Sequence, residues 1–313
     1  MKNNKNDNKT FYIIDGDTGE VRAEIPEGWS VVSPAQRERN KKYYDMLADK
    51  ARKEEEKRKA IENSKSKHGD FTWFFYKLWE PCDLNISLSS LTRIIFLSTY
   101  INYKNVLVYG AHPMNRTQMN RLLGLSKREF INFTNEMQQA DILTFTDDKI
   151  IISEKVFGRG KLPEIFTKRN NEDYLYAIRL YQKTVRNLYQ RATPRSHKTL
   201  SYVFQMIPYI NRQYNILCYN PLETEVKKIQ PMLLNDYCRM VGYNEKNIGR
   251  LASNILRPEF TITDGTDTKV ESAVRIVLSV RDDNQKIYQV FVNPRVFYAG
   301  DSWENIELLC TFG

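Results

Sequence analysis

MNRTQMNRLLGLSKREFINFTNEMQQA, residues 114–140, divides into two short helices around a tight turn. Asn115 is placed to cap a first helix whose apolar residues are Met119, Leu122 and Leu123. Gly124 supplies a permissive backbone for the turn, and Leu125 returns to the core. Ser126-Lys127-Arg128-Glu129 has the form of a capping box, in which the Ser hydroxyl and the Glu carboxylate each satisfy an orphan backbone N–H. Phe130, Phe133 and Met137 then recur at i, i+3 and i+7, one apolar face of a second helix. That leaves Lys127, Arg128, Asn132 and Asn135 on the other faces.

The flanking segments give the pair a context. Residues 87–101 form an amphipathic helix with Leu88, Leu91, Ile94, Ile95, Leu97 and Ile101 as its buried stripe, and 106–109, VLVY, is a short strand. After Ala140 the period changes: Ile142–Phe145 and Ile150–Ile152 flank the turn Thr146-Asp147-Asp148-Lys149, a tight hairpin. Helix, strand, two helices and a hairpin is the order of a winged helix-turn-helix, whose second helix enters the DNA major groove. The alternative for 114–140 alone is an ordinary helical hairpin in a core.

The plan occurs twice. Tyr100-Ile101-Asn102 before 106–109 recurs as Tyr209-Ile210-Asn211 before 216–219. The helix pair recurs at 233–256, with Gly242 in the place of Gly124. There Tyr237, Val241, Tyr243, Ile248 and Leu251 replace Met119, Leu123, Leu125, Phe130 and Phe133. Residues 150–160, IIISEKVFGRG, recur as 290–300, VFVNPRVFYAG. The second wing is expected to pair 272–280 with 287–292 across Asp282-Asp283-Asn284-Gln285. In its reading helix Asn244 is the expected cap, and Glu245, Lys246, Asn247, Arg250 and Asn254 are the polar positions, while Gly249 lowers helical propensity.

Elsewhere, residues 11–25 read as a small hairpin in which Asp15 and Asp17 form a turn rather than a metal site. Residues 34–68 carry twelve Lys/Arg against seven Asp/Glu. They are expected to be a charged helix whose part from 52 to 67 is solvated or disordered, a linker or an arm that follows DNA phosphates. The aromatic cluster at 71–79 is expected to pack onto the following helices rather than stack on single-stranded bases. Residues 172–190 read as one connecting helix carrying Arg179, Lys183 and Arg186, with Arg191 following it, ended by Thr193-Pro194-Arg195-Ser196.

The chain has 313 residues and a net charge of +9, from 47 basic and 38 acidic side chains, which favours a polyanionic partner. No apolar run is long enough to span a membrane and no signal peptide opens the sequence, so a cytoplasmic protein is expected. Cys82, Cys218, Cys238 and Cys310 are scattered without zinc or disulfide spacing and are expected to act as small buried apolar groups. The three histidines, His68, His112 and His197, make no His-x-His pair, and Gly160-Lys161 is followed by Leu162 and Pro163 rather than by the Ser or Thr of a phosphate loop. No Gly-x-Ser-x-Gly elbow is present. The expectation is a protein that is not an enzyme and uses no cofactor or metal.

The wing-closing segments ISEKVFGRG (152–160) and VNPRVFYAG (292–300) resemble the end of winged-helix replication proteins of Gram-positive plasmids and phages, the RepL-type family, which has a similar hydrophobic strand, Asn-Pro, Phe and Gly. The likeness covers about 71–165 and 196–303. Together with the repeat it gives the expectation of a mainly α fold with small β-hairpins (α+β), two tandem winged helices, preceded by the N-terminal hairpin and charged helix that the likeness does not cover. The corresponding domains are an arm (1–70), a first winged helix (71–165), a connecting helix (166–195) and a second winged helix (196–313). It implies an initiator that binds double-stranded origin repeats and recruits host replication machinery, with a homodimer as one option. A transcription regulator of the same fold and a winged-helix protein-interaction module are the alternatives. The expected DNA contacts are Lys127, Arg128, Asn132, Asn135 and Lys149 in the first copy, and Lys246, Asn247, Arg250, Asn254 and Lys286 in the second.

Overall fold

The computed structural model describes residues 11–25, 33–76, 86–162, 176–264, 267–280, 286–300, 306 and 312. The chain divides into two compact units, Met1–Lys59 and Ala60–Gly313, with the division inside a helix. In the first, β1 (Phe11–Ile14) pairs antiparallel with β2 (Val21–Ile25). The Asp15 carboxylate accepts the backbone N–H groups of Asp17 and Thr18 and pairs with Arg22, so it closes the turn as expected. Helix α1 (Pro34–His68) is continuous through the stretch expected to be solvated or disordered. Side-chain pairs one turn apart support it, Glu38–Lys42 at 2.8 Å, Asp49–Arg52 at 3.1 Å and Glu55–Arg58 at 2.9 Å.

The second unit is mixed α/β with small antiparallel sheets. It begins with β3 (Phe71–Phe75), then α2 (Leu88–Ser98), β4 (Val108–Tyr109), β5 (His112–Pro113), α3 (Arg116–Leu123), α4 (Lys127–Gln139), the hairpin β6 (Leu143–Phe145) and β7 (Ile150–Ile152), and β8 (Phe157–Gly158). It continues with β9 (Ala177–Tyr181), α5 (Gln182–Arg191), α6 (His197–Phe204), α7 (Leu234–Met240) and α8 (Ile248–Leu256). Two hairpins follow, β10 (Glu259–Asp264) with β11 (Asp267–Ser272) and β12 (Val274–Val280) with β13 (Lys286–Val292), before β14 (Phe297–Tyr298).

The two halves meet in one sheet of order β14-β9-β3-β8. At its centre Phe71 pairs with Tyr181, Trp73 with Arg179 and Phe75 with Ala177. Exchanging Phe71 for Ala177, Trp73 for Arg179 and Phe75 for Tyr181 leaves that ladder unchanged. The outer strands obey the same exchange: Phe157 pairs with Phe74 where Phe297 pairs with Leu180, and Gly158 with Trp73 where Tyr298 pairs with Arg179. The sheet therefore has a local two-fold axis between Trp73 and Arg179. Beside it α2 packs on α6, and the Thr92 hydroxyl donates to the His197 carbonyl at 2.8 Å.

Within each half the same hydrogen bonds hold the same places. Leu107 N–H donates to Ile150 O (2.8 Å) as Leu217 N–H does to Val290 O (2.9 Å). Met114 N–H donates to Leu107 O as Met232 N–H does to Leu217 O, both at 2.9 Å. The carboxamide oxygens of Asn102 and Asn211 each accept two nearby backbone N–H groups. These bonds are the structural counterpart of the repeat in the sequence. One apolar core runs through both halves, from Phe74, Ile94 and Phe133 to Val203, Leu251 and Phe297.

Three sequence expectations need correction. The described part of 172–190 is not one helix: Ala177–Tyr181 is strand β9, buried at every position between β3 and β14. Arg179 is consequently 3% exposed and donates to the carbonyls of Tyr298 and Gly300, instead of presenting charge on a helix surface. The aromatic run Phe71–Phe75 packs inward as expected, with Trp73 half-buried and Phe74 sharing a core with Leu91 and Ile94 of α2, but it does so as a central strand of the sheet; Leu78 and Trp79 lie outside the described residues. The hairpin β10–β11, whose TITDGTDTKV carries an Asp-Gly turn signal, precedes the expected one, and Ser272 belongs to it. The turn 281–285 lies outside the described residues.

Candidate nucleic-acid interface

Each helix of the pair α3–α4 is capped at its start. Asn115 caps α3 and exchanges bonds with Gln118, its carboxamide oxygen accepting the Gln118 N–H at 2.8 Å. Gly124 takes the left-handed conformation, φ 65°, that ends α3 and reverses the chain. Ser126 and Glu129 form the expected capping box. The Glu129 carboxylate accepts the Ser126 hydroxyl at 2.8 Å and lies 3.7 Å from the buried Arg93 guanidinium. Its pKa is lowered, first by the Ser126 hydroxyl, then by the Ser126 backbone N–H. The one acid in the first turn of α4 is thus occupied by the helix terminus and by Arg93. Farther along, the Glu136 carboxylate accepts the Ser90 hydroxyl and the Ser87 N–H, pinning α4 to the start of α2.

Phe130, Phe133 and Met137 face inward, buried to 9% exposure or less. Lys127, Arg128, Asn132 and Asn135 are all exposed, and among the described contacts none is engaged by another side chain of the protein. They lie on one solvent-facing surface of α4 with Ile131, Gln138 and Gln139. Lys149 is exposed at the end of the β6–β7 turn, beside Asp148 at 3.5 Å. Two cations that the sequence reading did not select adjoin this surface. Arg116 lies 4.2 Å over the Phe145 ring, and Arg121 is exposed in the last turn of α3. Their signal was their place on α3, Arg116 as its first residue and Arg121 between the buried Met119 and Leu123.

The second copy departs from expectation at its start. Asn244 does not cap α8; its side chain accepts the Lys246 N–H at 3.0 Å within a 3-10 turn, Glu245–Asn247. Helix α8 starts at Ile248, and Asn247, at its N-cap, makes no side-chain capping bond. Lys246 and Asn247 therefore stand before the helix rather than in its first turn. Both are exposed, as is Arg250 on the helix itself. Asn254 is half-buried and lines a cavity of about 180 Å³ with Leu188, Arg191, Ser196 and Arg257, which places it away from the fully exposed set. Lys286 is the first residue of β13, paired with Val280.

No known protein family, curated protein or solved structure matches this chain. Its surface chemistry is what remains to be read. Among the described residues no three His, Cys, Asp or Glu side chains gather as a metal site, and no helix is long and apolar enough to cross a membrane. Cys218 and Cys238 are buried and make no disulfide, the Cys238 thiol donating to the Tyr243 carbonyl, and burial pushes Cys218 up to about 11, far from reactive thiolate character. Cys82 and Cys310 lie outside the described residues. His197 is also buried, stacked 4.2 Å from Tyr189, which itself stacks 3.8 Å from Phe96; burial lowers its pKa to about 4, with the Arg93 charge acting in the same direction. It joins the two halves and carries no visible surface chemistry.

Proposed function

We propose that this chain is a sequence-specific double-stranded DNA-binding protein without catalytic activity, built on two winged helices in tandem. The observation that carries the proposal is the outward face of α4. Among the described contacts the cationic and carboxamide side chains there have no intramolecular partner, on a helix anchored by the Ser126–Glu129 capping box and a buried aromatic face. Arg128 suits a guanine edge, Asn132 and Asn135 suit adenine, and Lys127 and Lys149 suit phosphates. Arg250, Lys246 and Asn247 offer the weaker counterpart, with Lys286 on the second wing. Asn254 is a poorer candidate because of its burial.

The local two-fold axis supports the same reading. Backbones of the two strands of B-DNA are themselves related by dyads, so reading helices related by a two-fold meet equivalent grooves in opposite senses. We further propose that the biology is initiation of plasmid or phage replication at origin repeats. This rests on the likeness of 152–160 and 292–300 to the ends of RepL-type proteins. Host replication machinery would be the partner.

The test is equilibrium binding of the intact protein to duplex DNA across a salt series. Cationic contacts to phosphates predict a log–log slope of about −4 to −5, from about −0.9 per phosphate. A near-flat slope, or no duplex binding at low salt, would leave a protein-interaction module as the better account.

A further inference from the structure

The outward face of α4 contains one residue that does not suit water. Ile131 is 46% exposed, between Arg128 one turn before it and Asn135 one turn after it. The other outward positions, Asn132, Gln138 and Gln139, are polar. The helix does not need Ile131 for its packing, because Phe130, Phe133 and Met137 already fill the inner face. At the corresponding position of α8 stands Gly249, where a Cβ would meet nothing within 4 Å. An apolar group at this position is therefore confined to the first copy, while α8 exposes Leu256 in its last turn, where α4 has Gln138.

The major-groove edges of the bases are polar with one exception, the 5-methyl group of thymine. We infer that Ile131 is a specificity-determining residue that packs on a thymine methyl in the half-site read by α4, while Arg128 and Asn135 bond the flanking base edges. This rests on the DNA-binding reading above. It adds one term to it: discrimination by apolar contact at the position of Ile131, which Gly249 does not offer in α8.

The experiment uses the intact protein and a duplex enriched by it from a random library, with each thymine replaced in turn by deoxyuridine. Removing one buried methyl should weaken wild-type binding by about 3–5-fold at one or two adjacent positions. Ile131→Ala should bind the parent duplex more weakly by a similar factor and lose nothing further on those same deoxyuridine duplexes. Ile131 is exposed, so the variant should keep the wild-type melting temperature, which is measured alongside. The inference is overturned if no deoxyuridine duplex binds wild type less well, or if wild type and Ile131→Ala lose the same factor at every position. A library from which nothing is enriched would instead remove the DNA-binding reading itself.

Discussion

Asn105 and Asn215 occupy the same place in the two halves and adopt the same left-handed backbone, φ 56° and 51°. Each sends its carboxamide N–H to the carbonyl of the phenylalanine that opens the closing strand, Asn105 to Phe157 at 2.7 Å and Asn215 to Phe297 at 2.9 Å. Asn215 donates also to Val292 O at 3.0 Å and is fully buried. These bonds tie the segment ahead of each helix pair to the central sheet.

Replacing either Asn by Ala should therefore destabilise the second unit. The loss combines a left-handed backbone that Ala disfavours with unpaired buried carbonyls, about 1–3 kcal/mol for Asn105→Ala and about 2–4 kcal/mol for Asn215→Ala. Urea unfolding measures both. Asn215→Ala proving the milder of the two would contradict the assigned roles.

Gly124 and Gly249 should respond to Ala in opposite directions. Gly124, at φ 65°, should lose about 1–2 kcal/mol, since a Cβ strains that conformation. Gly249 is helical with open space around it, so Gly249→Ala should gain up to about 1 kcal/mol. The two melting temperatures should move apart; a shift of the same sign in both would not fit.

His197 gives the fold a pH dependence. Its folded pKa of about 4 lies below the ordinary 6.5, so the unfolded chain binds the proton first as pH falls. Stability is then complete above about pH 6.5 and declines through the window down to about pH 4, by about 3 kcal/mol in total. His197→Phe keeps the stack on Tyr189 and removes the titration. The difference between the two proteins in urea midpoint should appear only in that window, and a constant difference from pH 4 to 8 would show that His197 titrates normally.

Arg128→Ala and Arg250→Ala should each weaken binding to a preferred duplex by about 1–3 kcal/mol if they contact base edges. Both residues are exposed, so unfolding curves should be unchanged. Arg128 is expected to matter more, because α4 has the better cap and the more cationic start. Undiminished affinity in both variants would place the DNA on other helices.

The sequence foretold the elements whose causes are local. Asn115, Gly124 and the Ser126–Glu129 box mark the ends of α3 and α4 within a few residues, and the spacing of Phe130, Phe133 and Met137 fixes the buried face. Strand β9 is not legible in its own residues because its conformation has a distant cause. No breaker separates Tyr181 from Gln182, and the apolar residues of 174–188 satisfy a helical period. Pairing with β3 on one side and β14 on the other overrides that preference. The same non-local pairing conceals the two-fold axis, which needs the register of four strands rather than any motif. At the second reading helix, Asn244 has the residue type of a cap, yet a 3-10 turn takes its place before α8. The hairpin β10–β11 has its local signal in the Asp264-Gly265 pair of the sequence.

The most direct measurement is selection of bound sequences from a random double-stranded library by the intact protein. Two reading helices on one chain predict enrichment of a bipartite site, its halves about one helical turn apart, with the more strongly defined half lost on Arg128→Ala. Extended to α4 and α8, the two-fold axis of the sheet further predicts phosphate contacts symmetric about the centre of that site even where the bases differ. Recovery of unselected sequence, at salt low enough to retain any duplex, would contradict the proposal that this protein reads DNA.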